Sequence, residues 1–469
     1  MGAVTSHLRG IYNTTTALIR TLSLLNARYG ALVERIRAGP FMPVEEPTES
    51  FWMRDPPFPE IGDVVWSGRP AVSSSSSAAA AAEDRGVGEE EEEEEVDVVV
   101  VGSGITGVSA VKTILELSCS DASSPEGSND DGKEDKATAP KIMVLEARQL
   151  CSGATARNGG HIKCAPHEEF ARLRKTLGEE AARKVVRLQM RHLSALREVG
   201  ARMPLGEVRE VETVDLYLER EGFERARGSV EGLRGWMPEV DVRVWEAGEM
   251  REKFGVNRHV VGAISYQAGA LWPYRLVTSL WHDLKTKYPS LTISTHTPVS
   301  SITPNASPTH PYTVHTSRGK IRTRHVLHAT NAYTGHLVSA LRGCLTGVLG
   351  HMTAQQPGKG FAPVCHGGRS WSVMYGTGFD YVTQRPDGED GQPGELMLGG
   401  GLFRSKEEGL DQIGVWDDGR VDAFPLMHLR GGGTWGTRAR LEEWFPVEEV
   451  RVDGGRLRRA RLENLANEV

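Results

Sequence analysis

The chain has 469 residues, with 55 Lys+Arg against 62 Asp+Glu and a net charge of −7. That length holds roughly two to four domains of about 100–200 residues each. Seven of the acids form one run, Glu89–Glu95, without which the charge balances, so the body shows no charge bias toward nucleic acid. Cys119, Cys151, Cys164, Cys344 and Cys365 are scattered and form no CxxC pair. That argues against a disulfide framework and a cysteine zinc site and for a reducing compartment. No basic-then-apolar leader opens the sequence, and no apolar stretch approaches the ~20 residues of a bilayer span. The last residues, Asn467-Glu468-Val469, are not a peroxisomal address. A cytoplasmic protein with neither a membrane nor a nucleic-acid partner is expected.

In chain order, residues 1–72 read as a helical and Pro-rich arm. Leu8 to Ile36 has helix-like apolar spacing, and Phe51–Pro57 follows as the Pro-rich part. Residues 73–95 (five serines, five alanines, then glutamates) are a low-complexity linker. Val96–Val101 is a buried-strand pattern, Gly107–Leu117 a short helix and Lys141–Leu145 a second strand. Between them, 118–139 is polar and reads as a disordered surface insertion. Helical spacing runs from His167 to Val199, interrupted near Gly178. Strand-like pieces follow at Val214–Leu218, Ala263–Tyr266, Leu291–Val299, Tyr312–Thr316, Ile321–Ala329, Tyr381–Gln384 and Leu396–Leu398. Residues 447–469 form an atypical basic tail carrying Arg451, Arg456, Arg458, Arg459 and Arg461. Strand–helix–strand order at the front implies a parallel sheet. The hairpin-rich remainder implies a second, antiparallel one.

The strongest motif is Gly102-Ser103-Gly104-Ile105-Thr106-Gly107, placed between the first strand and the first helix. Gly102 allows a tight turn, Gly104 admits a pyrophosphate to the backbone, and Gly107 lets the helix pack closely on the sheet. The helix N-terminus then offers free N–H groups to phosphate. The second strand ends in Leu145-Glu146, where a carboxylate accepts from a ribose hydroxyl; alone it would read as a solvated strand end. The 39-residue gap from Gly107 to Glu146 exceeds the usual ~20, and the insertion accounts for the excess. An acid here favours an unphosphorylated ribose, hence FAD or NAD.

The turn Cys151-Ser152-Gly153-Ala154-Thr155-Ala156-Arg157-Asn158-Gly159-Gly160-His161 has no place in a nicotinamide dehydrogenase and suits a longer dinucleotide. With the glycine turn and Leu145-Glu146-Ala147-Arg148, it resembles the FAD-dependent oxidoreductases of the D-amino-acid oxidase superfamily, closest to the gamma-glutamylputrescine oxidase-like branch. Gly269–Leu276, Thr297-Pro298-Val299, Val326–Tyr333 and the stretch from Phe379 to Gly401 resemble later family segments in order. The resemblance implies an α/β fold: a Rossmann-type FAD-binding domain with a parallel sheet (96–205 and 258–340). It is interleaved with an antiparallel-sheet α+β substrate domain (206–257 and 341–446).

The resemblance also implies roles. Gly102, Gly104 and Gly107 would hold the pyrophosphate and Glu146 the adenosine ribose, with Ser103, Ile105, Thr106 and Ala147 as further cofactor-binding residues. Arg148, Ser152, Thr155, Arg157 and Asn158 would line the phosphate and ribityl path. For Thr155, Arg157 and Asn158, plain turn chemistry is the alternative. Val299 would meet the adenine, with Ala329 and Thr330 beside the FAD chain. His161 is the catalytic candidate, able to orient substrate, tune the flavin ring or link to it; a structural histidine is the alternative. His325, His328 and His336 lack a carboxylate at ligand spacing, so no metal is expected. Trp272, Tyr274, Tyr375 and Tyr381 are either pocket walls or core.

The implied activity is oxidation of a C–N bond in a small amine or amino acid. Hydride passes to the flavin, the imine hydrolyses, and dioxygen reoxidises the cofactor with release of hydrogen peroxide. The family's closing motifs (Trp-Thr-Gly-like strand, Gly-His-Gly-like turn) are not found after Trp444-Phe445-Pro446, from which weak FAD binding and low turnover are expected. The alternative is a truncated or non-catalytic dinucleotide-binding relative acting as an interaction module.

Overall fold

A computed structural model describes residues 2–66, 93–120, 139–256, 258–357, 365–376 and 378–430. Two sheets organise them, with strands numbered in chain order. In the first sheet, four strands run parallel: β7 (Leu291–Ser294), β2 (Ile142–Leu145), β1 (Glu94–Val101) and β10 (Gly319–His328). The antiparallel β9 (Tyr312–Thr316) and β8 (Val299–Pro304) complete it. The valine run of β1 is apolar throughout because both faces are covered. Val98 and Val100 pack with Val108 and Val111 of the helix Ile105–Ser120 and with Trp281 of the helix Pro273–Lys287. Val99 and Val101 face Val299, Val314 and Leu337 on the other side. Full burial of one such side chain contributes about 1.5–3 kcal/mol.

The second sheet runs β11 (His351–Gln355), β14 (Leu396–Gly400), β13 (Gly378–Gln384), β12 (Arg369–Tyr375), β4 (Arg209–Tyr217), β6 (Gly262–Ala270) and β3 (His161–Ile162). Its remaining strand, β5 (Val242–Glu246), pairs with β6. The pairing is antiparallel except for β12 with β4. One face is apolar, with Val214, Leu216, Trp371, Val373 and Val382 packed on Met250 and Phe254. The other carries Asp215, Ser372 and Tyr381, as alternation along each strand requires.

Several sequence expectations shift. The last two glutamates of the acidic run belong to β1 and not to a linker. Glu94 pairs with Lys141 at 2.8 Å and Glu95 with Arg322 at 2.5 Å, which neutralises the strand's start. The expected strand Leu291–Val299 is two strands. Thr295 leaves the sheet because its N–H and hydroxyl both donate to the Val64 carbonyl, and His296 turns with φ +49°. β6, placed by sequence with the first sheet, is the centre of the second. Strands β5, β11 and β12 had no counterpart in the sequence reading. The remainder of the linker 73–95, most of the insertion 118–139 and the basic tail 447–469 lie outside the described residues. Among the described residues no helix is long and apolar enough to cross a membrane.

The chain opens with a helix, Gly2–Ala38, and then an arm laid across both sheets. Trp52 anchors it. The indole N–H donates to the Asn158 carbonyl at 2.6 Å, while its own carbonyl accepts from Trp272 Nε1 at 2.7 Å. Ser50 Oγ donates to the Ala156 carbonyl. The arm therefore fixes the Cys151–His161 turn from outside.

Candidate active site

The glycine turn is dictated by crowding. Gly102 has φ +105°, and a Cβ there would lie 2.5 Å from the Ala329 carbonyl oxygen. A Cβ on Gly107 would lie 2.2 Å from the Gly102 carbonyl oxygen. Neither position admits a side chain, so the helix Ile105–Ser120 starts tight against the ends of β1 and β10. Thr155 closes over that helix start, its hydroxyl accepting from the Ile105 N–H at 3.0 Å.

Glu146 sits at the end of β2 beside this turn. Its Oε2 accepts from the Ser103 N–H at 3.0 Å and from Ser103 Oγ at 2.6 Å; its Oε1 accepts from the Arg148 N–H at 3.2 Å. The buried Ser103 hydroxyl in turn accepts from the Cys151 N–H at 2.7 Å. Burial, aided by Glu146, pushes the Cys151 thiol well above its usual value, so it stays protonated and unreactive.

Above these residues lies a cavity of about 390 Å³. Of the expected cofactor residues, Gly102, Ser103, Gly104, Ile105, Thr106, Glu146, Ala147, Arg148, Thr155, Asn158, Val299, Ala329 and Thr330 line it. Gly107 lies beneath the turn, and Ser152 and Arg157 stand behind the wall. Arg157 donates to the Thr48 hydroxyl at 2.9 Å and to the Thr48 and Ser152 carbonyls. The Arg148 guanidinium forks onto the Asp418 carboxylate at 2.9 and 3.1 Å. The Asn158 side chain serves its own turn, accepting from the Gly160 N–H and donating to the Thr155 carbonyl. Sequence reasoning missed Phe41 to Pro43 of the arm and the pair His336 and Leu337, which also line the cavity.

These residues fit FAD. The turn from Gly102 to Thr106 borders the cavity, a helix N-terminus faces it, and an acid stands at the ribose position.

Asn158 also lines a second cleft, of about 400 Å³, with Gly159, His161, Lys163, Glu168, Asp215, Ser372 and Tyr381. Its floor is a cross-strand row: Asp215 on β4 stands opposite Ser372 on β12, which stands opposite Tyr381 on β13. Lys163 reaches across it, donating to Asp215 Oδ1 and to Ser372 Oγ, both at 2.6 Å. The Tyr266 hydroxyl donates to Asp215 Oδ2 at 2.7 Å. Burial alone would raise the Asp215 carboxyl, but Lys163 and the bonds from Lys163 and Tyr266 outweigh it and hold it below the carboxylate range.

His161 stands at the mouth, its ring centroid 5.9 Å from that of Tyr381. Burial, then the Lys163 charge, lowers its pKa to about 3, so the ring is neutral at physiological pH, and the buried Nε2 has no partner. Glu168 accepts from the Tyr217 hydroxyl at 3.3 Å, and burial with the nearby Asp215 raises its carboxyl. Lys163 had a legible signal: it lies two residues from His161 in an extended segment, hence on the same side. Asp215 had one too, an acid inside the apolar strand Val214–Leu218.

A family profile described as "DAO: FAD dependent oxidoreductase" matches residues 97–453. No curated protein matches the sequence. Among solved structures, glycine oxidase from Geobacillus kaustophilus is similar at 16% identity, over 77% of this chain and 81% of that one, with a TM-score of 0.49. L-proline dehydrogenase from P. horikoshii is similar at 18% identity, over 66% and 70%, with a TM-score of 0.46. Glycine oxidase from Bacillus cereus ATCC 14579 is similar at 16% identity, over 65% and 70%, with a TM-score of 0.43.

Proposed function

The chain belongs to the FAD dependent oxidoreductase family, which matches it over residues 97–453, and on that premise we propose that it oxidises the C–N bond of a small amine or amino acid. FAD is the cofactor and supplies the two-electron acceptance such an oxidation needs. The observation that carries the substrate reading is that Asn158 lines both cavities, so that the two lie on either side of one residue. The first is shaped for a dinucleotide; the second offers a neutral imidazole and fixed charges where a small polar molecule would lie.

The chain's own residues bind and orient. Gly102 to Gly107 and Glu146 hold the cofactor's phosphate and ribose. Neutral His161 lines the cleft and, held uncharged by burial and the Lys163 charge, orients a substrate amine that reaches the cleft as the free base, its proton having gone to solvent. Lys163, fixed by Asp215 and Ser372, sets the local potential without moving. Reoxidation by dioxygen, with hydrogen peroxide as product, and a gamma-glutamylputrescine oxidase-like preference are parts of the same proposal.

The test is a peroxide assay on the purified protein with small amines, amino acids and 2-hydroxy acids of matched size. Peroxide with amines or amino acids and none with hydroxy acids is the expected result. Oxidation of hydroxy acids alone, or retained flavin with no turnover on any substrate, would overturn it.

A further inference from the structure

The helix Gly2–Ala38 stands apart from the rest of the fold. Its C-terminal part meets the body: Arg35 donates to the Leu410 carbonyl at 2.7 Å and the Ile413 carbonyl at 3.1 Å, and Arg28 meets Glu408 at 3.6 Å. Ahead of them Leu18, Leu22 and Leu25 are 57, 55 and 47% exposed. A helix of 37 residues is about 55 Å long. One rich in Thr and holding Gly10 and Gly30 has little intrinsic helix strength. It needs a partner along its apolar side.

The sequence says what kind. Val4, Leu8, Ile11, Thr15, Leu18, Leu22, Leu25, Tyr29, Leu32 and Ile36 follow one another at alternating spacings of four and three residues without a break. This is a strict 3.5-residue repeat with one polar member, Thr15. Such a repeat keeps its seam in line only if the helix supercoils about another helix. A helix lying on a membrane surface would instead carry a polar face rich in Lys and Arg. Of the helix's five arginines only Arg20 lies between Tyr12 and Ala27, and the residues off the seam there are Thr, Ser, Asn and Ala with Ile19 and Leu24, so that stretch has no Lys- and Arg-rich face. The seam also carries no charge that would repel a copy of itself.

We propose that this helix pairs with the same helix of a second copy of the chain, so that the protein is a dimer joined through a coiled coil at its N-terminal end. The Leu18–Leu22–Leu25 stretch is the centre of the seam. The body, with both cavities, hangs from the coil through Arg28 and Arg35.

Sedimentation velocity of the full chain at micromolar concentration tests this, beside the double variant Leu22→Glu/Leu25→Glu. The wild type should sediment with the mass of two chains. The variant should sediment as one chain with unchanged flavin content, which shows its body still folded. A single-chain wild type, or a variant that stays dimeric, would overturn the proposal. So would a single-chain wild type that floats with phosphatidylserine vesicles, which would assign the strip to lipid.

Discussion

Arg148 and Asp418, 270 residues apart, form a two-pronged ion pair: Nη1 to Oδ1 at 2.9 Å and Nη2 to Oδ2 at 3.1 Å. Their side chains are 9% and 20% exposed. Asp418 also receives the arm, since its carbonyl accepts from the Thr48 N–H at 3.0 Å. One residue thus ties the end of β2, the N-terminal arm and the chain beyond β14 into one wall of the first cavity. Asp418→Asn should lower stability by about 2 kcal/mol, the cost of losing a charged hydrogen-bond partner at a part-buried site. It should also weaken FAD retention, read by thermal melting with and without added FAD. Unchanged melting in both conditions would show the pair to be incidental.

The glycine turn gives the sharpest steric prediction. In Gly107→Ala the new methyl would meet the Gly102 carbonyl oxygen at 2.2 Å, so the helix must move off the sheet. The variant should purify without bound flavin. Gly228→Ala, in the helix Arg220–Trp236 away from both cavities and with nothing within 4 Å of the added atom, should keep it. Equal flavin content in the two would contradict the assignment of the turn.

Lys163 and Asp215 should behave as a unit. Lys163→Met leaves the Asp215 carboxylate, 4% exposed, with Tyr266 as its remaining donor. Removing one partner of a buried pair costs about 3–5 kcal/mol. The double change Lys163→Met/Asp215→Asn should cost less than the sum of the single changes, because no unpaired charge is left behind. Additive losses in urea denaturation would show that the two residues act separately.

His167 predicts a pH effect. It is fully buried, both ring nitrogens lack a partner, and burial lowers its pKa from 6.5 to about 4. A histidine with a lowered folded pKa takes up its proton more readily when unfolded. Stability is therefore full above pH 6.5 and falls as pH drops from 6.5 toward 4, by at most about 1.4 kcal/mol per pH unit for this one group. His167→Phe should flatten that slope. A variant with the same slope as the wild type would assign the loss to other groups.

The first cavity was largely legible in the sequence because its parts are local. The turn Gly102–Gly107 and Glu146 sit at the ends of adjacent strands, and their spacing follows from one strand–helix–strand unit. The second cleft was not, because register makes it. Ser372 reaches Asp215 only once β12 pairs with β4 across 157 residues, and Lys163 reaches both only from β3's far edge. The alternation in Arg369-Ser-Trp-Ser-Val-Met-Tyr375 is visible in retrospect, with Ser370 and Ser372 on one face and Trp371 and Val373 on the other. Asp418 carried no local signal, since its partners Arg148 and Thr48 are 270 and 370 residues away.

On the proposed function the two cavities work together, one holding FAD and the other presenting an amine to it. Anaerobic titration of the purified protein with small amines and amino acids, followed by visible absorbance, tests this most directly. With FAD supplied in excess, a bound flavin spectrum that bleaches on addition of substrate and returns on admitting air is the expected result. A colourless protein that takes up no FAD, or a bound flavin that none of these compounds bleaches, would contradict it.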